Sequence, residues 1–137
     1  MHAEGEFSVA STTPAEVTPA VEVTTGLPVG ILTMEKRFTG AIEGRSATLF
    51  TYAFDPASGT GSYVAMESFE GSVDGHTGAF NFTHAATTTG TDRTHEHFVV
   101  VPASGTGALA GISGDGGMAV DADGTHRIWL DYEVAEG

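Results

Sequence analysis

The stretch ESFEGSVDGHTGAFNFTH, residues 67–84, decides the fold because it contains two short alternating runs joined by a turn dipeptide. The dipeptide Asp74-Gly75 is typical of a two-residue type I′ turn, which joins neighbouring antiparallel strands. Aromatic residues recur at every second position on both sides of the turn, which is the period of a β-strand. The stretch therefore predicts a β-hairpin.

The register of this hairpin places an acid and an imidazole on one face. A two-residue turn pairs Phe69 with Phe80 and Glu67 with Phe82, so His84 is diagonal to Glu67 at a backbone separation of roughly 7–8 Å. We expect this aromatic face to point inward, where a carboxylate is costly unless it is paired. The pattern is compatible with a catalytic acid and base and equally with a pair that only satisfies its own hydrogen bonds.

Glycine and proline divide the rest of the chain in the same way. The 19 glycines and five prolines separate runs rich in Thr, Val, Phe and Tyr, which indicates an all-β protein. Eight antiparallel strands favour a closed barrel or a sandwich, and a barrel of eight encloses either side chains or one small ligand. The expected strands are one before residue 11, one ending at Phe38, 46–54, 62–69, 78–86, 93–101, one around Met118, and 125–134.

Length and charge limit the domain organisation and the partners. With 137 residues, we expect a single domain over 1–137, with a long loop at about 11–30 that contains three prolines. The formal net charge of -13 would repel phosphate backbones and anionic membranes, so neither nucleic acid nor a membrane is expected as a partner. The absence of cysteine removes disulfides and thiol nucleophiles. The start MHAEGEFSVAS lacks the basic and apolar segments of a signal peptide, which predicts a cytoplasmic protein.

Strand alternation brings further candidates to the interior. Lys36 and Met34 share the face of Phe38, and Tyr132 shares the face of Leu130, although a lone lysine more often extends to a rim. Ionisable groups in an aromatic pocket are typical of a small-molecule site. The candidate catalytic residues are Glu67, His84, Tyr132 and Lys36. The candidate ligand-binding residues are Met34, Phe38, Phe50, Tyr52, Tyr63, Phe69, Phe80, Phe82 and Leu130.

A metal site is considered at THEH and not predicted. His95 and His97 have the spacing of two ligands on one face of a strand. The residues that follow are VVVP, without a third ligand. Solvated histidines are the preferred interpretation.

Four strings resemble a known family: KRFTGAIEGRS, YVAMESFEGSVDGHTGAFNFTH, VVVPASGTGALAGISGDG and WLDYEV. Together they resemble a bacterial domain family of unknown function whose members fold as allene oxide cyclase-like barrels, over about Met34 to Glu133. The resemblance implies an eight-stranded antiparallel barrel, lipocalin-like in outline. The parts of this chain that match the family pattern are Glu67, Phe69, His84, Ser104 to Gly107 and Tyr132.

The resemblance implies a function only through the wider barrel class, which includes cyclases and dirigent proteins that act on an apolar molecule without a metal or organic cofactor. The first hypothesis is a cofactor-independent cyclase or isomerase for an apolar, oxygenated, polyketide-like or terpenoid-like substrate. Glu67 and His84 would act as acid and base, and Tyr132 or Lys36 would polarise a carbonyl. The alternatives are a non-catalytic protein that binds a small apolar ligand in the lumen, and a barrel whose lumen is filled. Related barrels often self-associate, so a homo-oligomer is also compatible with the class.

Overall fold

A computed structural model describes residues 1–135 as eight antiparallel strands in a closed barrel. Each strand pairs with the next along the chain, and the last pairs with the first, which confirms the predicted eight-stranded all-β architecture. The strands are β1 (His2–Ala15), β2 (Val29–Gly40), β3 (Ile42–Asp55), β4 (Thr60–Val73), β5 (His76–Thr89), β6 (Arg93–Val100), β7 (Ser113–Val120) and β8 (His126–Glu133).

The central hairpin has the predicted register. Glu67 lies opposite Phe82 and Phe69 opposite Phe80 across β4 and β5. Asp74 and Gly75 both have positive φ, 50° and 82°, as a type I′ turn requires. The turn dipeptide therefore fixes which residues of both strands face the lumen.

The long loop is shorter than predicted because β1 continues to Ala15 and β2 begins at Val29. Pro14 lies within β1, opposite Leu32 of β2. The pairing of β1 with β8 ends at Phe7, so the rest of β1 is an edge strand on one side. Proline is tolerated there because no ladder partner needs its missing N–H on that side.

One end of the barrel, which we call the closed end, lies at the turns between β2 and β3 and between β4 and β5. A one-turn 3₁₀ helix, Gly107–Leu109, places the fully buried Leu109 over this end. Every strand contributes to the apolar cluster beneath it. Phe69 contacts Phe38 edge-to-face, with ring centroids 5.4 Å apart, and Phe80 at 5.3 Å. The lumen at the closed end is therefore filled by side chains.

The opposite end, the open end, lies at the turn between β3 and β4 and at the 16–28 connection. Beyond Phe7 and His126 the sheet continues through β1 to β6, whereas β7 and β8 extend no further. Because the barrel is lower on the side of β7 and β8, inward residues near the open end have no neighbours across the lumen. No helix within residues 1–135 has the length and apolar character needed to cross a membrane.

Candidate functional site

An ion pair lies inside the barrel between the two ends. Lys36 Nζ on β2 is 2.7 Å from Glu67 Oε1 on β4, and Ser46 Oγ donates to the second oxygen, Oε2, at 2.6 Å. Glu67 is fully buried and Lys36 is 6% exposed. Lys36 therefore points into the lumen rather than to a rim. Both carboxylate oxygens have charged or hydroxyl donors, which offsets part of their desolvation cost.

The Lys36 ammonium has two softer neighbours as well. It lies 5.1 Å from the ring centroid of Phe7 and 4.0 Å from Met118 Sδ. A cation over an aromatic face is stabilised by the ring quadrupole. These contacts fix the ammonium on the axis side of β2, facing the middle of the lumen.

His84 on β5 is 4% exposed and has its own carboxylate partner. Its Nε2 lies 2.9 Å from Glu96 Oε2 on β6. Because an ionised carboxylate only accepts, Nε2 carries the hydrogen in the neutral ring and Nδ1 is left as the basic nitrogen. Burial lowers the pKa of His84, and the hydrogen bond to Glu96 only partly opposes this shift. At neutral pH the imidazole is therefore uncharged and oriented by Glu96.

Glu96 reaches His84 because β6 and β7 are joined by a single ladder pair, Val99 with Asp115. The Met118 N–H, which lacks a β6 backbone partner, donates to Glu96 Oε2 at 3.3 Å. Arg93 Nη1 donates to the Met118 carbonyl at 2.7 Å. The side chains of Glu96 and Arg93 thus take the place of backbone hydrogen bonds between β6 and β7.

Local backbone features make room for Glu96. His95, just before it, has φ of +54° at a register irregularity between β5 and β6. This is the left-handed region that non-glycine residues enter at a cost, and such positions are frequent at functional sites. Gly117 of β7 also leaves room for this carboxylate, since a Cβ there would lie 2.7 Å from Glu96 Oε1 and would also meet the Trp129 ring.

Glu67 and His84 both face the lumen, as the hairpin register predicted, but each has a different partner. Within residues 1–135 no hydrogen bond joins them. His84 lies opposite Ala65, one row closer to the open end than Glu67. Glu96 was missed by the sequence analysis, although it shares strand parity with Phe98, which is buried. Taking that face of β6 as the inner one would have identified it.

Tyr132 lies away from this cluster, at the closed end. Its hydroxyl donates to Asp74 Oδ2 in the hairpin turn at 2.6 Å. Burial, and then this hydrogen bond, raise the pKa of Tyr132. The contact ties β8 to the β4–β5 turn, so the structure does not bring Tyr132 together with Lys36 and His84.

An apolar cavity of about 290 Å³ lies at the open end. Three of the predicted ligand-binding residues, Phe50, Tyr52 and Tyr63, line it. The rings of Phe50 and Tyr63 stack with centroids 5.1 Å apart, and Tyr63 contacts His84 edge-on at 5.3 Å. The Tyr63 ring thus stands between the cavity and the imidazole. The remaining lining residues are Leu32, Phe54, Ser62 and Thr88.

The other predicted ligand-binding residues have different surroundings. Met34 is half-buried on β2, opposite Thr48. Five lie in the packed cluster and do not line the open-end cavity. They are Phe38, Phe69, Phe80, Phe82 and Leu130.

One wall of the cavity depends on a glycine. Gly30 on β2 lies opposite Tyr52 on β3. A Cβ on Gly30 would lie 2.5 Å from the Tyr52 ring, so the aromatic ring rests directly on the β2 backbone. This close approach holds Tyr52 flat against the wall.

Thr48, which the sequence analysis did not single out, lies in the same row as Glu67. It is 2% exposed. Its Oγ1 is the only buried side-chain nitrogen or oxygen within residues 1–135 that has no hydrogen-bond partner. Its inward position was readable from the parity of β3, but the missing partner follows only from the packing around it.

The histidines of THEH lie outside this arrangement. His95 and His97 are both exposed. In the part of the chain that the structure describes, no three or more His, Asp or Glu side chains are grouped as metal ligands.

Comparisons with known proteins agree with the architecture. No curated protein matches the chain. A crystal structure of a protein with unknown function from the DUF3224 family of Shewanella oneidensis MR-1 superposes with a TM-score of 0.83 at 28% identity, covering 99% of this chain and 98% of that chain. The family model described as protein of unknown function, DUF3224, matches residues 3–132. With nearly its whole length matched, this chain belongs to the DUF3224 family.

Proposed function

We propose that this protein binds a small, mainly apolar molecule in the open-end cavity. The observation that carries the proposal is an apolar cavity of about 290 Å³ next to a buried set of ionisable side chains. Small-molecule sites are usually apolar clefts of roughly 300–1,000 Å³ with a few polar groups that fix orientation. The cavity lies at the lower end of that range, which favours a compact ligand of at most three rings. Because the closed end is filled, the ligand would occupy the open end only.

The buried polar groups favour a function over a purely structural role. A buried ion pair such as Lys36 and Glu67 contributes little net stability compared with apolar residues of the same size. His84 packs against Tyr63 and Phe98, but an apolar ring would pack there without the buried hydrogen bond to Glu96. Groups of this kind, close to a cavity, are typical of binding and catalytic sites.

A neutral fluorescent probe tests the binding site. N-phenyl-1-naphthylamine, which becomes bright in apolar surroundings, is expected to bind the wild-type protein saturably. Leu32→Trp places an indole in the cavity and is expected to weaken binding by about tenfold or more, because a site of this size cannot hold both groups. Leu49→Trp is the matched control, since Leu49 lies on the outer face of the next strand and is 59% exposed. Equal affinity in both variants would contradict the proposed location.

A second candidate function is a cofactor-independent isomerase or cyclase in which His84 is the general base. The observation that favours it is the neutral imidazole held by Glu96, an arrangement that fixes the tautomer of a catalytic base. His84 would take a proton from the carbon next to a carbonyl, and the resulting enolate would recover a proton at the same or another carbon. The Lys36 ammonium, held inside the lumen by Glu67, would donate a hydrogen bond to the carbonyl oxygen and polarise it.

Deuterium exchange tests this chemistry without knowledge of the natural substrate. The methyl protons of 2-acetylnaphthalene in D2O are expected to exchange faster in the presence of the wild-type protein, as followed by proton NMR. His84→Gln is expected to remove the acceleration while N-phenyl-1-naphthylamine still binds. If the wild-type protein binds the probe but does not accelerate exchange of the methyl protons, the protein is a non-catalytic binding protein. If His84→Gln accelerates the exchange as the wild-type protein does, His84 is not the general base.

A further inference from the structure

We infer that Thr48 is the recognition group for the ligand, and that the ligand carries a neutral oxygen, as a ketone, an aldehyde or an alcohol. The inference rests on the proposed function, because it assigns a partner to a molecule bound in the open-end cavity. Its basis is the Thr48 hydroxyl, which is buried inside the barrel without a hydrogen-bond partner.

An unpaired buried hydroxyl requires a reason. Nearly all buried polar side-chain atoms in proteins are hydrogen-bonded, since an unmet donor loses its water contacts and gains nothing in return. Valine has the same shape as threonine, is at least as favourable in a strand and would avoid this cost. A threonine at this position is therefore useful only when an acceptor or donor arrives from elsewhere.

The position of Thr48 connects it with the cavity. Phe50, two residues along β3 on the same face, lines the cavity, and two residues of a strand span roughly 7 Å. The row at the level of Phe50 continues through Ala65 to His84. Ala65 is the smallest side chain of that row, so the row is thinnest above Glu67, the cross-strand neighbour of Thr48. A ligand oxygen that passes over Ala65 would reach the Thr48 hydroxyl once the Tyr63 ring turns aside.

The charges around Thr48 determine which oxygen is accepted. Glu67 lies directly opposite Thr48, and its charge is compensated by Lys36 at 2.7 Å. A carboxylate ligand would add a second negative charge beside Glu67 with no further cation in this row, and like charges at short range in a buried site are strongly unfavourable. A neutral carbonyl accepts the Thr48 proton without this penalty, and an alcohol can also donate to Thr48.

Competition against N-phenyl-1-naphthylamine with three ligands of one shape tests the assignment. The ligands are naphthalene, 2-acetylnaphthalene and 2-naphthoate. In the wild-type protein the ketone is expected to bind about fivefold more tightly than the hydrocarbon, which is the contribution of one hydrogen bond. The carboxylate is expected to bind at least tenfold more weakly than the ketone. Equal affinities for ketone and hydrocarbon would indicate that the hydroxyl serves only a buried water, and would overturn the inference.

Thr48→Val separates recognition from packing. The variant is expected to bind naphthalene as the wild-type protein does and to lose the preference for the ketone. It should also be at least as stable to denaturant, since a methyl group replaces an unpaired hydroxyl. Thr51→Val on the same strand, where the hydroxyl donates to the Val64 carbonyl, is the control and should keep the preference.

The two hypotheses fail in different ways. If neither the probe nor naphthalene binds the wild-type protein, the proposed function is wrong and the role of Thr48 falls with it. If both bind in the cavity but Thr48→Val keeps the ketone preference, the cavity stands and the assignment of Thr48 is overturned.

Discussion

The closed and open ends of the barrel are built from the same strands with the same alternation, yet one is filled and the other is hollow. At the closed end all eight strands and a 3₁₀ turn supply apolar side chains to one cluster. At the open end the sheet continues through β1 to β6 without β7 and β8, and the inward rings of Phe50 and Tyr63 are half-buried. Alternation decides which residues face the lumen, whereas the number of strands that reach a given level decides whether the lumen is filled there.

The largest expected effect is the loss of a ring at the closed end. Phe69→Ala removes a side chain that is 2% exposed and packed against two other rings, and should lower the free energy of unfolding by about 3–5 kcal/mol. Phe50→Ala at the open end is the matched substitution and should cost about half as much, because part of the ring already faces the cavity. Denaturant unfolding measures both. Equal losses would mean that the open end is packed as tightly as the closed end.

The buried ion pair between the two ends gives the next effect. Lys36→Met leaves the fully buried Glu67 carboxylate without its cation, and breaking such a pair typically costs about 3 kcal/mol or more. The double variant Lys36→Met with Glu67→Gln removes both charges and should recover most of the loss. A double variant that is no more stable than Lys36→Met would show that the two side chains are not coupled.

The Tyr132 contact at the closed end should have a smaller effect. Tyr132→Phe removes the 2.6 Å hydrogen bond to Asp74, and should cost about 1–2 kcal/mol because the acceptor is a carboxylate that remains solvated. Tyr52→Phe in the cavity wall is the control and should change stability by less than about 0.5 kcal/mol. The same experiment separates the proposed roles, since Tyr132→Phe should leave probe binding at the open end unchanged.

The sequence was sufficient for the all-β strand pattern and for the inner face of the central hairpin, and the choice of a barrel over a sandwich came from the family resemblance. The Asp74-Gly75 turn has only one favourable geometry, so it sets the register, and the register places Glu67 and His84 inside. Lys36 followed from the parity of Phe38 in the same way. These predictions rest on local rules that act within a few residues.

The partners of these groups depend on the tertiary arrangement and were not predictable. Glu67 and His84 were expected to pair, but Glu67 is bonded to Lys36 from a strand about thirty positions earlier in the chain, and His84 to Glu96. Glu96 reaches inward only because β6 and β7 are nearly unpaired and His95 adopts positive φ. A strand irregularity of this kind is not visible in the sequence, because the alternation around THEH is compatible with either face of β6 pointing inward.

The pH dependence of stability is the smallest and most specific test of the open-end arrangement. Burial lowers the pKa of His84 below the value of 6.5 that holds in the unfolded chain. Below about pH 6.5 the unfolded chain therefore takes up a proton that the folded protein does not, and stability falls as the pH decreases. For one proton the slope is at most about 1.4 kcal/mol per pH unit. His84→Gln, whose amide can still donate to Glu96, should remove this part of the slope.

His2 provides a control of opposite sign. Its hydrogen bonds to Glu4 and Asp131 raise its pKa, so its contribution to stability is present below the unfolded-state pKa and is lost as the pH rises through the folded-state pKa. His2→Gln should therefore be slightly less stable than the wild-type protein at low pH. His84→Gln should be more stable than the wild-type protein at the same pH. Unfolding curves at pH 5, 6, 7 and 8 measure both. If His84→Gln follows the wild-type pH profile, the pKa of His84 does not differ between the folded and unfolded protein, and its lowering by burial is contradicted.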